Sequence, residues 1–241
     1  MLPALLELAL VVVLFEAYRL GRLLARGDEP AAREHAEWVH RLEGVVHLPP
    51  EASVQALVPS DALLHLANVY YVSVHFPLMV VFLVWGYLFR PRAEYVWARN
   101  LLITLTGTAL VVHILFPLAP PRMFPHWGFV DTMATFGPNA YAGASGAMVN
   151  QFAAMPSLHV GWAALIAYVV LRTGPRWLGA VAVTHVVVTV AVVVVTANHY
   201  WLDGIVALVL LAVATRVVRP AAGPLASPPA RRARSAATPR R

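Results

Sequence analysis

Apolar residues along this chain gather into long runs separated by short polar connections, instead of alternating with charge along a regular period. The runs fall at about 2–20, 62–89, 100–117, 157–172, 177–197 and 201–218. Each approaches the ~20 residues that a helix needs to cross the hydrocarbon core of a bilayer. Backbone amides in lipid must be bonded within their own segment, so runs of this length predict helices. The expected fold is all-α: a polytopic membrane protein with a bundle of six transmembrane helices. The connections are too short to hold a second folded domain.

The first run has no basic residue before it and no small-x-small cleavage site after it, and Glu7 and Glu16 interrupt it. Residues 1–29 therefore read as an anchor helix and linker, not a cleaved signal. Residues 30–219 form the expected membrane domain. In its first connection Trp38, Leu42 and Val45 recur at helical spacing, with Arg33, Glu34, Glu37 and Arg41 on another face. This predicts an amphipathic segment over 31–48 lying on the bilayer. Its charges need no function beyond a solvated face. The connection 118–156 lies on the opposite side from 90–99, and its small-residue stretch "YAGASGAM" at 141–148 reads as a loop. No internal repeat is visible.

Composition narrows the class. The chain has 241 residues, 59% hydrophobic and 12% charged, which excludes an ordinary soluble globule. It lacks cysteine, so disulfides and thiolate metal sites are excluded. All 18 basic residues are arginine. Arg231, Arg232, Arg234, Arg240 and Arg241 lie in a Pro/Ala/Ser-rich tail, 220–241, that cannot build a core and is expected to be disordered. Such a tail is drawn to anionic lipid headgroups, and no nucleic-acid partner is expected. Arginines at 90, 92 and 99, at 172 and 176, and at 216 and 219 would share the cytoplasmic side, leaving 118–156 outside with Arg122 alone. The first connection disagrees, since it also falls outside yet carries Arg19, Arg22, Arg26, Arg33 and Arg41. An Arg-only, Ala/Val-rich chain points to a bacterial plasma membrane.

Carboxylates are the scarcest reactive groups: after Glu94 the chain has Asp131 and Asp203 alone. Asp203 follows His199 by four residues in "NHYWLD", a spacing that puts both on one helix face and lets the carboxylate orient the ring. A headgroup-region Asp beside an unrelated His is the bland alternative. His159 begins the fourth run and His199 the sixth, so both lie at the same membrane face, where Arg122 also ends the third run. An Arg, two His and an Asp supply what phosphoryl transfer requires: a fork for phosphate oxygens, an oriented nucleophile and a proton donor.

The stretch "MPSLHVGWA", followed forty residues later by "NHYWLD", resembles the second and third signature motifs of the type-2 phosphatidic acid phosphatase superfamily. "APPRMFPHWGFVDT" and "NVYYVSVHFP" are most similar to its inositol phosphorylceramide synthase branch, the inositolphosphotransferases. The resemblance covers roughly residues 30 to 218. It implies that His199 is the nucleophile that becomes phosphohistidine, that Asp203 orients it, and that His159 protonates the departing alkoxide. Arg122 resembles the phosphate ligand of the first motif. Ser157 offers a hydroxyl and a backbone N–H at a helix start.

Two departures stand out. A Ser-Arg pair lies shortly before the nucleophile in the phosphatase branch, whereas "AVVVVTANHY" holds no cation, an absence shared with the inositolphosphotransferase branch; either Asn198 substitutes by hydrogen bonding or the substrate carries less phosphate charge. The lysine of the usual first motif is also missing. Among weaker candidates, His75 reads either as a packing residue or as a substrate contact, and Asn150 and Gln151 as possible lining. Asp131 and His126 read as acceptor contacts or as a loop cap. His113 and His185 read as interhelical hydrogen-bond partners.

The expected activity is metal-independent and cofactor-free cleavage of a lipid phosphoester, with transfer of a head group to a lipid hydroxyl. The alternative acceptor is water, with a phosphatidate-like or polyprenyl (di)phosphate substrate. Outside this class stand a metalloenzyme with His159, His199 and Asp203 as ligands, and a proton-relaying transporter. The oligomeric state is not readable from these residues.

Overall fold

The structure, a computed structural model, describes residues 28–139, 141 and 150–220, with Leu5, Glu7, Ala9, Leu10, Val12, Val13 and Glu16. Most of the first apolar run, of the loop 141–148 and of the basic tail therefore lies outside the described residues. Among those described, the chain is all-helical, and its one extended pairing is an isolated parallel bridge between Leu118 and Ala153. The helices are α1 (Glu29–Val45), α2 (Glu51–Ala56), α3 (Asp61–Ser73), α4 (His75–Phe89), α5 (Arg92–Leu115), α6 (Thr132–Phe136), α7 (Leu158–Thr173), α8 (Arg176–Val195) and α9 (Trp201–Val217). Prolines at 50, 91 and 175 stand just ahead of α2, α5 and α8, where a fixed φ and a missing N–H cost nothing.

The run at 62–89 is not one straight span. It breaks at Val74 into α3 and α4, bent by 42°. Pro77 accounts for the break: it has no N–H to give the Ser73 carbonyl, and its ring crowds that carbonyl. Among the described residues α5 and α8 are long and apolar enough to cross a membrane, and the bent pair makes a third candidate. Of the expected six spans, two or three are thus matched by helices of sufficient length among the described residues, and the first run lies largely outside them. α7 and α9 fall short, at 16 and 17 residues, because the chain ahead of each is used in the turns that carry the candidate reacting groups.

α7 is the hub, packed on α4, α5, α8 and α9 and buried nearly all round. Leu101 and Leu105 of α5, Leu165 and Val169 of α7 and Leu211 of α9 fill the space between them. Between helices in lipid the gain comes from close packing instead of water exclusion, so small residues matter. At Gly161 α7 lies close to both neighbours, where a Cβ would meet Leu105 at 3.4 Å and Ala207 at 3.5 Å, ordinary van der Waals distances. The outward faces of α4, α8 and α9 are apolar, with Val80, Val84, Val183, Val187, Leu208 and Val213 exposed, which suits a lipid surround.

The bundle has two distinct ends. At one, Arg90 binds Glu94 and the Thr173 carbonyl, Trp97 donates to the Val218 carbonyl, and Arg92, Arg99 and Tyr95 surround buried Glu7. Those partners explain how an acid is tolerated within the first apolar run. The other end holds α1, α2, α6 and the chain from 117 to 127. α1 leaves Trp38 and Val45 exposed, as an interfacial helix requires, but docks through a strip that the hydrophobic pattern does not mark: Ala32, Ala36, Val39 and Glu43. That strip packs on Leu118, Ala119, Phe124 and Tyr200.

Candidate active site

The turn "TANHY" between α8 and α9 carries His199. The Val193 carbonyl accepts from the N–H groups of both Asn198 and His199, and Thr196 Oγ1 donates back to the Val192 carbonyl. Ala197 closes the turn at φ +53°, a left-handed conformation that strains a residue with a Cβ. His199 therefore precedes α9, and it does not share a helix face with Asp203. The two still meet. Asp203 in the first turn of α9 reaches back to accept from the Tyr200 N–H at 2.9 Å and from His199 Nδ1 at 3.2 Å.

A second acceptor, the Ala154 carbonyl, lies 2.9 Å from the same Nδ1. Two acceptors facing one nitrogen require the hydrogen to sit there. Nε2 then keeps its lone pair, and it is buried with no hydrogen-bond partner among the described residues. Ala154 is held in place by the Leu118–Ala153 bridge, and Asn150 Oδ1 accepts from the Phe152 N–H to shape the same segment. Asn150 thus acts on the chain that supplies the Ala154 carbonyl.

His159 lies in the first turn of α7. Its ring stacks on Tyr71 at 4.1 Å and packs against His75 at 4.1 Å, and His75 stacks in turn on Trp162 at 4.7 Å. The break at Val74 sets Tyr71 and His75 on separate helices around this ring. His75 thus lies in ring contact with both His159 and Trp162. The rings of His159 and His199 are 5.6 Å apart.

Arg122 projects from a short 3₁₀ turn, Pro121–Met123, anchored by its own N–H on the Ala197 carbonyl at 2.8 Å. Its guanidinium is buried: Nε donates to Asn198 Oδ1 at 3.3 Å, Nη1 lies 3.8 Å from Asp131, and Tyr141 lies under it at 3.9 Å. Nη2 has no partner among the described residues. Asn198 is thus the neighbour of Arg122, with Nδ2 spent on Thr196. Asp131 caps α6 by accepting from the Ala134 N–H and pairs loosely with Arg122, the loop-cap reading. Ser157 caps α7, but its N–H donates to the Asp203 carbonyl at 3.0 Å. The backbone donor expected for a phosphate is therefore occupied, leaving the hydroxyl hydrogen.

His185 bonds Tyr70 across α8 and α3, an interhelical tie, whereas His113 Nε2 meets the carbonyl of Pro156 in the turn ahead of α7. His126 is exposed at the edge of the Phe124 and Trp127 rings. Asp203 stands behind the ring of His199, bonded to Nδ1, so the three candidate metal ligands do not face a common point. Among the described residues no three His, Cys, Asp or Glu side chains are arranged to hold an ion.

Four buried polar residues escaped the sequence reading. Asn68 ties Thr132 and the Gly137 carbonyl to α3, and Gln55 bridges Val130 and the Val195 carbonyl. Glu43 and Glu51 cap α9 from α1 and α2: Leu202 N–H donates to Glu43 at 2.8 Å and Trp201 N–H to Glu51 at 3.1 Å. Burial, together with hydrogen bonding to Glu51 and repulsion from its charge, pushes the Glu43 carboxyl up to about 9. The available signal was weak: two acids bracketing "HLPP" in a connection already rich in charge.

No curated protein and no solved structure matches the chain at a significant level. A family model described as the PAP2 superfamily matches residues 37–217.

Proposed function

This chain belongs to the PAP2 superfamily, and on that premise we propose that it is a membrane-embedded lipid phosphotransferase working through a phosphohistidine at His199. The observation that carries the proposal is the state of that ring. Nδ1 is committed to Asp203 and Ala154, and Nε2 is buried with its lone pair unpartnered.

In the first displacement His199 Nε2 attacks phosphorus, the P–O bond to the departing alkoxide breaks, and His159 gives that oxygen a proton. Asp203 stabilises the positive charge that grows on the His199 ring. The open Nη2 of Arg122 takes a non-bridging phosphate oxygen, with the Ser157 hydroxyl as a second donor. In the second displacement His159, now neutral, accepts the proton of an incoming hydroxyl. Its oxygen bonds to phosphorus, the N–P bond breaks, and His199 is restored.

A lipid hydroxyl as acceptor, with a phosphoinositol-like head group as cargo, is favoured by the charge count. The cation that the phosphatase branch carries shortly before its nucleophile has no counterpart in "AVVVVTANHY", and Asn198 there is bonded to Arg122. A site with one guanidinium suits a phosphodiester, which bears one negative charge, better than a phosphomonoester bearing nearly two. Hydrolysis is the second reading, because the mechanism accepts water in the same place. The test is purified protein in detergent with labelled phosphatidate and phosphatidylinositol, with and without a hydroxylated lipid, following free phosphate and new phospholipid together. Acceptor-dependent phospholipid with little free phosphate is the expected result; phosphate release without acceptor would assign hydrolysis.

A further inference from the structure

We infer that Glu43 and Glu51 are positioning residues for the proposed nucleophile, a carboxyl pair from the first connection that clamps the turn carrying His199. The inference rests on the phosphohistidine reading of His199. Three consecutive backbone N–H groups, at Tyr200, Trp201 and Leu202, each donate to a different carboxyl group: Asp203, Glu51 and Glu43. Capping at a helix start ordinarily comes from the helix's own neighbours. Here two of the three caps arrive from residues some 150 positions away, and both are almost fully buried. A further bond, from Trp201 Nε1 to the Pro49 carbonyl at 2.7 Å, fastens the link between them.

The consequence for chemistry is geometric. The Nδ1 to Oδ2 contact, at 3.2 Å, depends on where the first turn of α9 sits relative to "TANHY". That turn is fixed by the same two N–H bonds that Glu43 and Glu51 receive. Two buried anions side by side would repel one another and Asp203, so the arrangement requires one proton between them. Glu43 is the holder of that proton: its Oε1 accepts from Leu202, and its Oε2 has no partner as a bare carboxylate but can donate to Glu51 once protonated. The groups facing the pair are Asp203, Tyr200 and each other.

Glu43→Gln reproduces the protonated form, with an oxygen for Leu202 and an N–H₂ for Glu51. Glu43→Leu keeps the bulk and removes both bonds. The test is steady-state turnover of phosphatidate and phosphatidylinositol in mixed micelles by wild type, both variants and His199→Ala, with thermal unfolding followed from pH 6 to 10. Expected are kcat within threefold of wild type for Glu43→Gln, and a fall of tenfold or more at a KM within twofold for folded Glu43→Leu. The wild type should also lose thermal stability toward pH 9 while Glu43→Gln does not. Equal kcat for Glu43→Leu and wild type, or equal losses in both variants, would overturn the inference. An active His199→Ala protein would instead overturn the phosphohistidine reading, whatever the Glu43 variants do.

Discussion

At the scale of single residues, the proposed chemistry depends on which nitrogen of His199 carries hydrogen. Asp203→Asn keeps the volume but presents an amide whose N–H₂ can face Nδ1, which drives the ring toward the wrong tautomer. Turnover should fall roughly a hundred- to ten-thousand-fold with the fold retained, the penalty of a misassigned tautomer. His199→Ala should remove turnover together with any acid-labile phosphoenzyme, measured by trapping labelled protein; a labelled His199→Ala protein would point to another nucleophile. Glu43 sets the pH dependence of stability. Its carboxyl holds its proton up to about 9 when folded, against an ordinary value of 4.5. Between those values the folded chain binds the extra proton, so stability is full below about pH 4.5 and declines as pH rises toward 9. Glu43→Gln should flatten that slope, as read from unfolding midpoints at several pH values.

At the scale of elements, the residue types were more legible than their surroundings. Histidine, aspartate and arginine in short motifs could be read from order and spacing, because nothing else in the chain has their chemistry. The pairing of His199 with Asp203 was anticipated from helical spacing. In the structure it arises from a carboxylate reaching back over a helix start, a distinction that spacing by four cannot make. Glu43 and Glu51 were hidden for a physical reason: their partners are backbone N–H groups far along the chain, and backbone has no sequence signature. The break between α3 and α4 was hidden in an unbroken apolar run, although Pro77 is its cause. Pro77→Ala returns an N–H that can bond the Ser73 carbonyl and straighten the pair. Because Tyr71 and His75 flank His159 from opposite sides of the break, turnover should fall about tenfold through a misdirected proton, without loss of stability. A wild-type rate in a folded Pro77→Ala protein would show that the bend is not needed to orient His159.

At the scale of the whole molecule, the site lies at one end of the bundle and the arginines at 90, 92 and 99 at the other. The arginine bias assigns that second end to the cytoplasm, whereas Arg33 and Arg41 on α1 stand at the catalytic end and argue against it. The weight differs between the two sets. Arg90 and Arg92 stand at helix ends, bound by Glu94 and by Glu7, while Arg33 lies on an exposed helix surface with its charge paired to Glu29. Helix-end arginines next to the spans are the ones that orient insertion, so the catalytic end should face outward. The chain has no cysteine, so single cysteines report position without background. In intact spheroplasts a membrane-impermeant maleimide should label Glu37→Cys, exposed on α1, and should reach Arg219→Cys, beyond the end of α9, after permeabilisation alone. The reverse pattern would turn the site toward the cytoplasm and make the inner leaflet the source of the phospholipid. Labelling at both positions without permeabilisation would mean an even number of crossings between them.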